Sequence, residues 1–227
     1  MSTIAMGGLN RTAALYQSVI GKNVIMAVTG FILSGFVLGH MIGNLQIFAG
    51  PEKLNAYAAF LHSLGGLLWV ARLVLLASVG LHIAMAVQLT MLKLEARPEA
   101  YVKKSALVST YAARTMIWSG PIVGAFIIYH LLHFTTGQAH PDFKPGDVYA
   151  NVVTGFRNPA VSLFYMVANI LLAFHLYHGV WSMFQSLGVA HPRYTPVLKR
   201  VAQAYGIIIG LGNVAMPMAV LTGIVTL

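Results

Sequence analysis

Five runs of predominantly apolar residues, each more than 20 residues long, divide the sequence. They cover residues 22–48, 66–92, 115–137, 160–188 and 202–226. The hydrocarbon core of a bilayer takes about 20 helical residues to cross, and a helix satisfies its own backbone hydrogen bonds there. The sequence therefore predicts an all-α integral membrane bundle of five transmembrane helices, which we call spans one to five.

The composition agrees with a membrane protein and limits its chemistry. Hydrophobic residues make up 58% of the chain and charged residues only 8%, whereas soluble domains carry roughly 25% charged residues. The loops, of about 20 residues at most, leave no room for a soluble domain. There is no cysteine, which excludes disulfides, thiolate-held iron–sulfur clusters and covalently attached haem in this chain.

The net charge of +9 is explained by orientation and lipid contact rather than by nucleic acid, since no basic run is interleaved with exposed aromatic residues. The amino-terminal segment and the loops after spans two and four hold ten of the fourteen Lys and Arg residues. These are Arg11, Lys22, Lys93, Arg97, Lys103, Lys104, Arg114, Arg193, Lys199 and Arg200. Cytoplasmic loops carry this excess, so we predict a cytoplasmic amino terminus, and we expect the first span to remain uncleaved.

Local signals mark several boundaries. Asn158 followed by Pro159 is typical of an N-cap and the first helical residue, and it opens span four. Pro217 predicts a kink in span five. Within the loop over residues 51–66, apolar residues recur at a helical spacing that predicts a short amphipathic helix on the outer surface. These residues are Leu54, Tyr57, Ala58 and Leu61.

Histidines lie inside the first four spans, where ionisable residues are costly and usually functional. With a rise of about 1.5 Å per residue, His40 and His130 lie roughly 25 Å from the inner face. His82 and His175 lie roughly 16 Å from it. The sequence thus predicts an outer pair and an inner pair, each drawn from two different helices.

Two depth-matched pairs of neutral imidazoles are the arrangement expected for two stacked haems, each with bis-histidine ligation. The alternative is that the histidines only form hydrogen bonds between helices, which is less attractive for matched pairs on four helices. Small residues beside the ligands would make room for a porphyrin, although helix packing explains them equally well. They are Gly35, Gly39, Gly43, Ser78, Ala86 and Gly179.

Two further histidines, His133 and His178, each follow a predicted ligand by three residues. Only one member of each doublet can bind the same iron, and we favour the first. The second would donate to a haem propionate or line a quinone pocket, or else serve as a satisfied structural histidine. The loop histidines His62, His140 and His191 are expected to be solvated.

Haem propionates need cationic or hydroxyl partners near the membrane surface. Arg72 is the outer candidate because an arginine just inside a span is otherwise costly, although it would also reach the headgroups by snorkelling. On the inner side the candidates are Ser18, Lys22 and Arg114.

Several segments resemble the cytochrome b membrane-anchor subunit of succinate dehydrogenase, in its single-chain, five-helix, two-haem form. They are SVIGKNVIMAVTGF, GHMIGNLQ, LHIAMAVQL, YHLLHF and FHLYHGVWSMFQSLG, and the similarity covers about residues 18–190. The resemblance implies a subunit of the cell inner membrane that anchors a flavoprotein carrying FAD and an iron–sulfur protein. It also implies that electrons from succinate pass through an inner and an outer haem b to quinone.

The resemblance implies specific ligands: His82 and His175 for the inner haem, and His40 and His130 for the outer one. The HLYHG motif supports His175 over His178. Some fumarate-reducing relatives have a glutamate two residues before the fourth-helix ligand, where this chain has Ala173. All five acidic residues lie in loops, which favours succinate oxidation over a reaction coupled to transmembrane proton transfer.

Other readings stay open at the level of sequence. A quinone would bind near Ser18, Lys22 and Arg114 on the inner side, or near Asn44, His62 and Arg72 on the outer side. One alternative function is the two-haem cytochrome b of another quinone-linked dehydrogenase. The other is a small transporter that uses histidines to bind a metal ion or protons, for which the lack of intramembrane carboxylates is unfavourable.

Overall fold

The computed structural model describes residues 13–96 and 111–227, with side chains from residue 115 onward in the second segment. The elements within these segments are helices: α1 Val19–Asn44, α2 Pro51–Ser63, α3 Gly66–Glu95, α4 Tyr111–Phe134, α5 Val148–Phe156, α6 Pro159–Ser186 and α7 Thr195–Leu221. A 3₁₀ helix, Leu45–Ala49, continues α1. Among the basic residues used for orientation, Arg11, Arg97, Lys103, Lys104 and the side chain of Arg114 lie outside the described residues.

Five of these helices are long and apolar enough to cross a membrane, namely α1 with its 3₁₀ extension, α3, α4, α6 and α7. The predicted fold of five spans is therefore confirmed, and the chain is a multi-pass membrane protein. The predicted start of the last span is wrong, because α7 begins at Thr195 rather than at residue 202. Pro196 lies in its first turn, and Lys199 and Arg200 follow, so a polar first stretch of the helix escapes a search for apolar residues.

The predicted start of span four is confirmed. The Asn158 side chain accepts hydrogen bonds from the backbone N–H groups of Ala160 and Val161, and Pro159 is the first helical residue. The side chain supplies partners for two N–H groups that have none within the helix, and proline has no N–H to lose. In the fifth span, α7 continues through Pro217.

One helix, α5, lies where the sequence predicts a loop. Its sequence VYANVVTGF is short and rich in valine, so it offers neither a long periodic pattern nor high helix propensity. Asp147 caps it by accepting a hydrogen bond from the N–H of Ala150 at 3.1 Å. Most of α5 is buried, and packing therefore stabilises this helix more than its intrinsic preference does.

The predicted amphipathic helix is present as α2. Leu54 is buried, and it belongs to the same apolar cluster as Ile47 and Val153, so α2 packs onto the ends of the spans and onto α5. Asn55 ties the two short helices together: its Nδ2 donates to Asp147 Oδ1 at 3.0 Å, and its Oδ1 accepts from the N–H of Tyr149 at 2.9 Å.

The spans are arranged around two central helices, α1 and α6, which pack against each other. Within the described residues, α3 packs extensively against α1 alone, and α4 against α6 and α5. The fifth span, α7, packs closely on α6, because a Cβ at Gly206 would lie only 2.7 Å from the carbonyl oxygen of Ala173. Tyr205 also donates a hydrogen bond to the Ser34 carbonyl at 2.6 Å, which joins α7 to α1.

Candidate functional site

The inner histidines meet across the bundle interior. His82 on α3 and His175 on α6 have ring centroids 6.3 Å apart, with an angle of 61° between the rings. An imidazole nitrogen binds a first-row metal at about 2.0–2.1 Å and lies about 1.1 Å from the ring centre, so two rings on opposite sides of one metal ion have centroids roughly 6–6.5 Å apart. The observed spacing matches that value.

The outer histidines also meet. His40 on α1 and His130 on α4 have centroids 5.6 Å apart and nearly perpendicular rings. Phe36 stacks on the ring of His40 at 5.3 Å, and Phe126 lies 5.8 Å from that of His130. A metal between these rings requires them to separate by a fraction of an ångström.

A hydroxyl group orients the ring of His82. Thr29 Oγ1 lies 3.1 Å from His82 Nδ1 and 2.8 Å from the carbonyl oxygen of Ile25. The hydroxyl proton goes to the carbonyl, which cannot donate, so Thr29 accepts from Nδ1–H of His82. This tautomer leaves Nε2 of His82 unprotonated, as a metal ligand must be.

The partner ring has a nitrogen without a hydrogen bond. Nδ1 of His175 is buried and has no partner in the described part of the chain. Buried polar atoms of this kind are rare because losing water without gaining a partner is costly. The described residues therefore supply no hydrogen-bond partner that fixes the tautomer of His175.

At the outer pair, Tyr165 on α6 connects two histidines of α4. Its hydroxyl lies 3.0 Å from Nδ1 of His133 and 3.4 Å from Nδ1 of His130. If Nε2 of His130 binds a metal, Nδ1 carries the proton and donates to Tyr165, whose own O–H then donates to His133. His133 is only 1% exposed, and this bond satisfies its Nδ1.

A cavity of about 360 Å³ lies beside His133, lined also by Gln138, His140 and Asn158. The expectation that His140 is solvated was wrong, since it is buried. Its Nδ1 accepts from the N–H of Asp142, and its Nε2 donates to the carbonyl of Asn151 at 2.8 Å. His140 therefore has both nitrogens satisfied and acts as a structural residue of the loop.

The small residues near the ligands divide into two groups. A Cβ at Gly35, Gly39 or Gly179 would meet nothing within 4 Å, so these positions border open space. At Gly43, in contrast, a Cβ would clash with the ring of Tyr57 on α2. Gly43 thus serves helix packing, while the other three positions have free space around an added methyl group and are not needed for contact between helices.

The inner polar candidates have local roles. Ser18 caps α1 by accepting from the N–H of Gly21, and it donates to the carbonyl of Leu15. Lys22 is buried, and its Nζ donates to the carbonyl of Gln17 at 2.9 Å.

The outer polar candidates are dispersed. The Arg72 guanidinium lies 5.0 Å from the ring centre of Trp69. Asn44 donates to the carbonyl of His40, and the exposed His62 bonds to the carbonyl of Ala58. None of these contacts brings the three outer candidates together. His178 is partly buried, one turn after His175.

The donor set suits a haem better than a bare metal ion. No group of three or more His, Asp or Glu side chains able to hold a metal ion converges in the described residues. Each histidine pair therefore offers two ligands, whereas zinc sites commonly use three or four protein ligands. A porphyrin supplies four equatorial nitrogens of its own, so that two axial imidazoles complete the coordination of iron. The chain has no match among protein-family models, curated proteins or solved structures.

Proposed function

We propose that this chain is the cytochrome b membrane-anchor subunit of a succinate:quinone oxidoreductase. His82 and His175 would bind the inner haem b, and His40 and His130 the outer one. The observation that carries the proposal is the presence of two facing imidazole pairs, at two levels of one bundle, with two ligands each. The bound haems would supply one-electron transfer between the succinate-oxidising subunits and quinone.

The protein's own part in this function is to hold the four rings in position. Thr29 and Tyr165 set the orientation of His82 and His130 through hydrogen bonds. The inner level, at Thr29, and the outer level, at His40, are 11 residues apart on α1, or about 16 Å along the helix axis. All four histidines lie on helices that are long and apolar enough to cross a membrane.

The proposed partners are a flavoprotein with FAD and an iron–sulfur protein, both at the cytoplasmic side of the cell inner membrane. The sequence resemblance supports this part of the proposal, together with the absence of cysteine for iron–sulfur clusters in this chain. A cytochrome b of another quinone-linked dehydrogenase would hold haem in the same way, and only the electron donor separates the two functions.

Purification of the tagged chain from its native membranes, in mild detergent, tests the proposal. We expect two partner subunits to copurify, one with flavin and one with iron–sulfur clusters, and succinate to reduce the haem absorbance. The purified complex should also reduce quinone with succinate as donor. Copurification of a hydrogenase or formate dehydrogenase, or haems that succinate leaves oxidised, would contradict the proposal. His82→Ala is a suitable control, since it should block the reduction of the outer haem by succinate.

A further inference from the structure

Each histidine pair takes one ring from a central helix and one from a peripheral helix. The inner pair combines His175 on central α6 with His82 on peripheral α3, and the outer pair combines His40 on central α1 with His130 on peripheral α4. Since α3 packs on α1 and α4 on α6, each peripheral helix packs on the central helix that carries a ligand of the other pair.

The hydroxyl contacts follow the same pattern. His82 lies on α3, which packs on α1, and its ring is hydrogen-bonded to Thr29 of α1. In the same way, His130 lies on α4, which packs on α6, and its ring is hydrogen-bonded to Tyr165 of α6. Each central helix thus carries a ligand for one level and, about three turns away, a hydroxyl for the other level.

We propose that Thr29 is a positioning residue: its hydroxyl fixes the tautomer of His82, the ligand of the inner haem, and thereby lowers the reduction potential of that haem. Tyr165 has the same role, more weakly, for His130 and the outer haem. This inference rests on the proposed two-haem function. It adds two residues that bind no metal and touch no substrate, and whose effect passes through the imidazole rings.

The direction of the effect follows from the hydrogen bond. A ligand imidazole whose Nδ1–H is bonded to an oxygen is a more basic ligand at Nε2. A more basic ligand stabilises oxidised iron more than reduced iron, so the bond lowers the reduction potential. Replacing Thr29 with valine keeps the shape of the side chain but removes the hydroxyl acceptor and leaves, among the described residues, only the backbone of Met26 as a hydrogen-bond partner of His82. The inner haem should therefore become easier to reduce.

The distances rank the two contacts. Thr29 lies 3.1 Å from His82, within the usual range for a hydrogen bond. Tyr165 lies 3.4 Å from His130 and is shared with His133 at 3.0 Å. The Tyr165 contact with His130 is therefore the weaker of the two. Removing the Tyr165 hydroxyl also removes the hydrogen bond to Nδ1 of His133.

The test is a redox titration of the purified complex, in which the two haem potentials are followed optically and the ferric signals by electron paramagnetic resonance. Thr29→Val should raise the potential of the inner haem by about 59 mV, which corresponds to a roughly tenfold change in the equilibrium constant for one-electron reduction. Thr29→Ser should restore the wild-type potential. Thr90→Val is the matched control, because Thr90 on α3 donates only to the carbonyl of Ala86. Tyr165→Phe should move the other potential by a smaller amount.

The outcomes separate this inference from the proposed function. The role of Thr29 would be overturned if Thr29→Val keeps two haems with unchanged potentials, if both potentials shift equally, or if Thr29→Ser does not restore the wild-type value. Each of these results would leave the two-haem function intact. Loss of one haem in Thr29→Val, with retention in Thr29→Ser and Thr90→Val, would support it. A wild-type protein without haem would overturn the proposed function and, with it, the inference. If Tyr165→Phe does not assemble, the Thr29 variants decide alone.

Discussion

His82 and His175 face each other with ring centroids 6.3 Å apart, although the helices that carry them, α3 and α6, are not among the extensively packed pairs of the described structure. Both are instead held by α1, on which α3 and α6 each pack. The facing rings are therefore positioned by a shared neighbour rather than by direct helix contact. A site built in this way keeps its ligands in register and leaves space between them.

Single replacements should remove the haems selectively. In His82→Ala one ligand of the inner pair is lost, so we expect one haem per chain with the ferric signal of the outer haem retained. His40→Ala should give the reverse. His178→Ala is the control, since it follows His175 by one turn and is not the favoured ligand, and it should keep both haems. Electron paramagnetic resonance distinguishes the two haems, and loss of both in His178→Ala would contradict the assignment.

The space beside the outer pair is expected to be sensitive to bulk. Gly39 precedes His40, and a Cβ there meets nothing within 4 Å. Gly39→Leu should lower the outer haem content because the larger side chain enters the room that the small residue leaves, whereas Gly39→Ala should retain more of it. Haem per chain, measured by pyridine haemochrome, checks this. Equal haem content in wild type and the leucine variant would show that Gly39 does not border the haem.

The contact between α6 and α7 should depend on Gly206. A Cβ at this position would lie 2.7 Å from the carbonyl oxygen of Ala173, so Gly206→Ala forces the backbones apart. The expected loss is about 1–3 kcal/mol, as in other overpacked sites. Gly35→Ala is the matched control, because its Cβ meets no atom within 4 Å, and its unfolding temperature in detergent should change little. Equal unfolding temperatures for the two variants would argue against close packing at Gly206.

The junction of α2 and α5 should weaken in acid. The hydrogen bond from Asn55 holds the pKa of the Asp147 carboxyl below its ordinary value, with a further contribution from the N–H of Ala150. A lowered pKa means that the stabilisation is present above the ordinary carboxyl pKa of about 4 and is lost as the pH falls through the lowered value.

The Asn55→Ala variant tests this contribution. It should cost about 1–2 kcal/mol at neutral pH, since it removes bonds to a carboxylate and to the N–H of Tyr149. Its unfolding temperature should also fall less than that of the wild type when the pH is lowered below 4. A parallel decrease in both proteins would mean that the Asn55–Asp147 bond does not contribute to acid sensitivity.

The sequence predicted the spans because a long apolar run has few alternatives. Depth along the spans also suggested which histidines would meet, since helix rise converts residue number into height. Neither argument predicts α5, because its nine residues are stabilised by burial rather than by a repeating pattern in the sequence. The burial of His140 is not predicted either, because a loop residue becomes buried only when distant segments fold over it.

Thr29 and Tyr165 were not singled out by the sequence, although a signal existed for one of them. Thr29 lies 11 residues before His40, which places both on nearly the same helix face, three turns apart. Tyr165 lies ten residues before His175, a spacing that rotates it by about 80° and hides the relation. Hydroxyl residues in spans also bond to their own backbone, so their contacts with a neighbouring helix are visible only in three dimensions.

The most direct test of the central claim is the haem content of the purified wild-type chain. A dithionite-reduced minus oxidised spectrum, with pyridine haemochrome quantification, should show b-type haem at about two per chain, as two bis-histidine sites require. One haem per chain would mean that one of the two pairs is structural. A fully native preparation without haem would contradict the assignment of all four histidines and return attention to the transporter alternative.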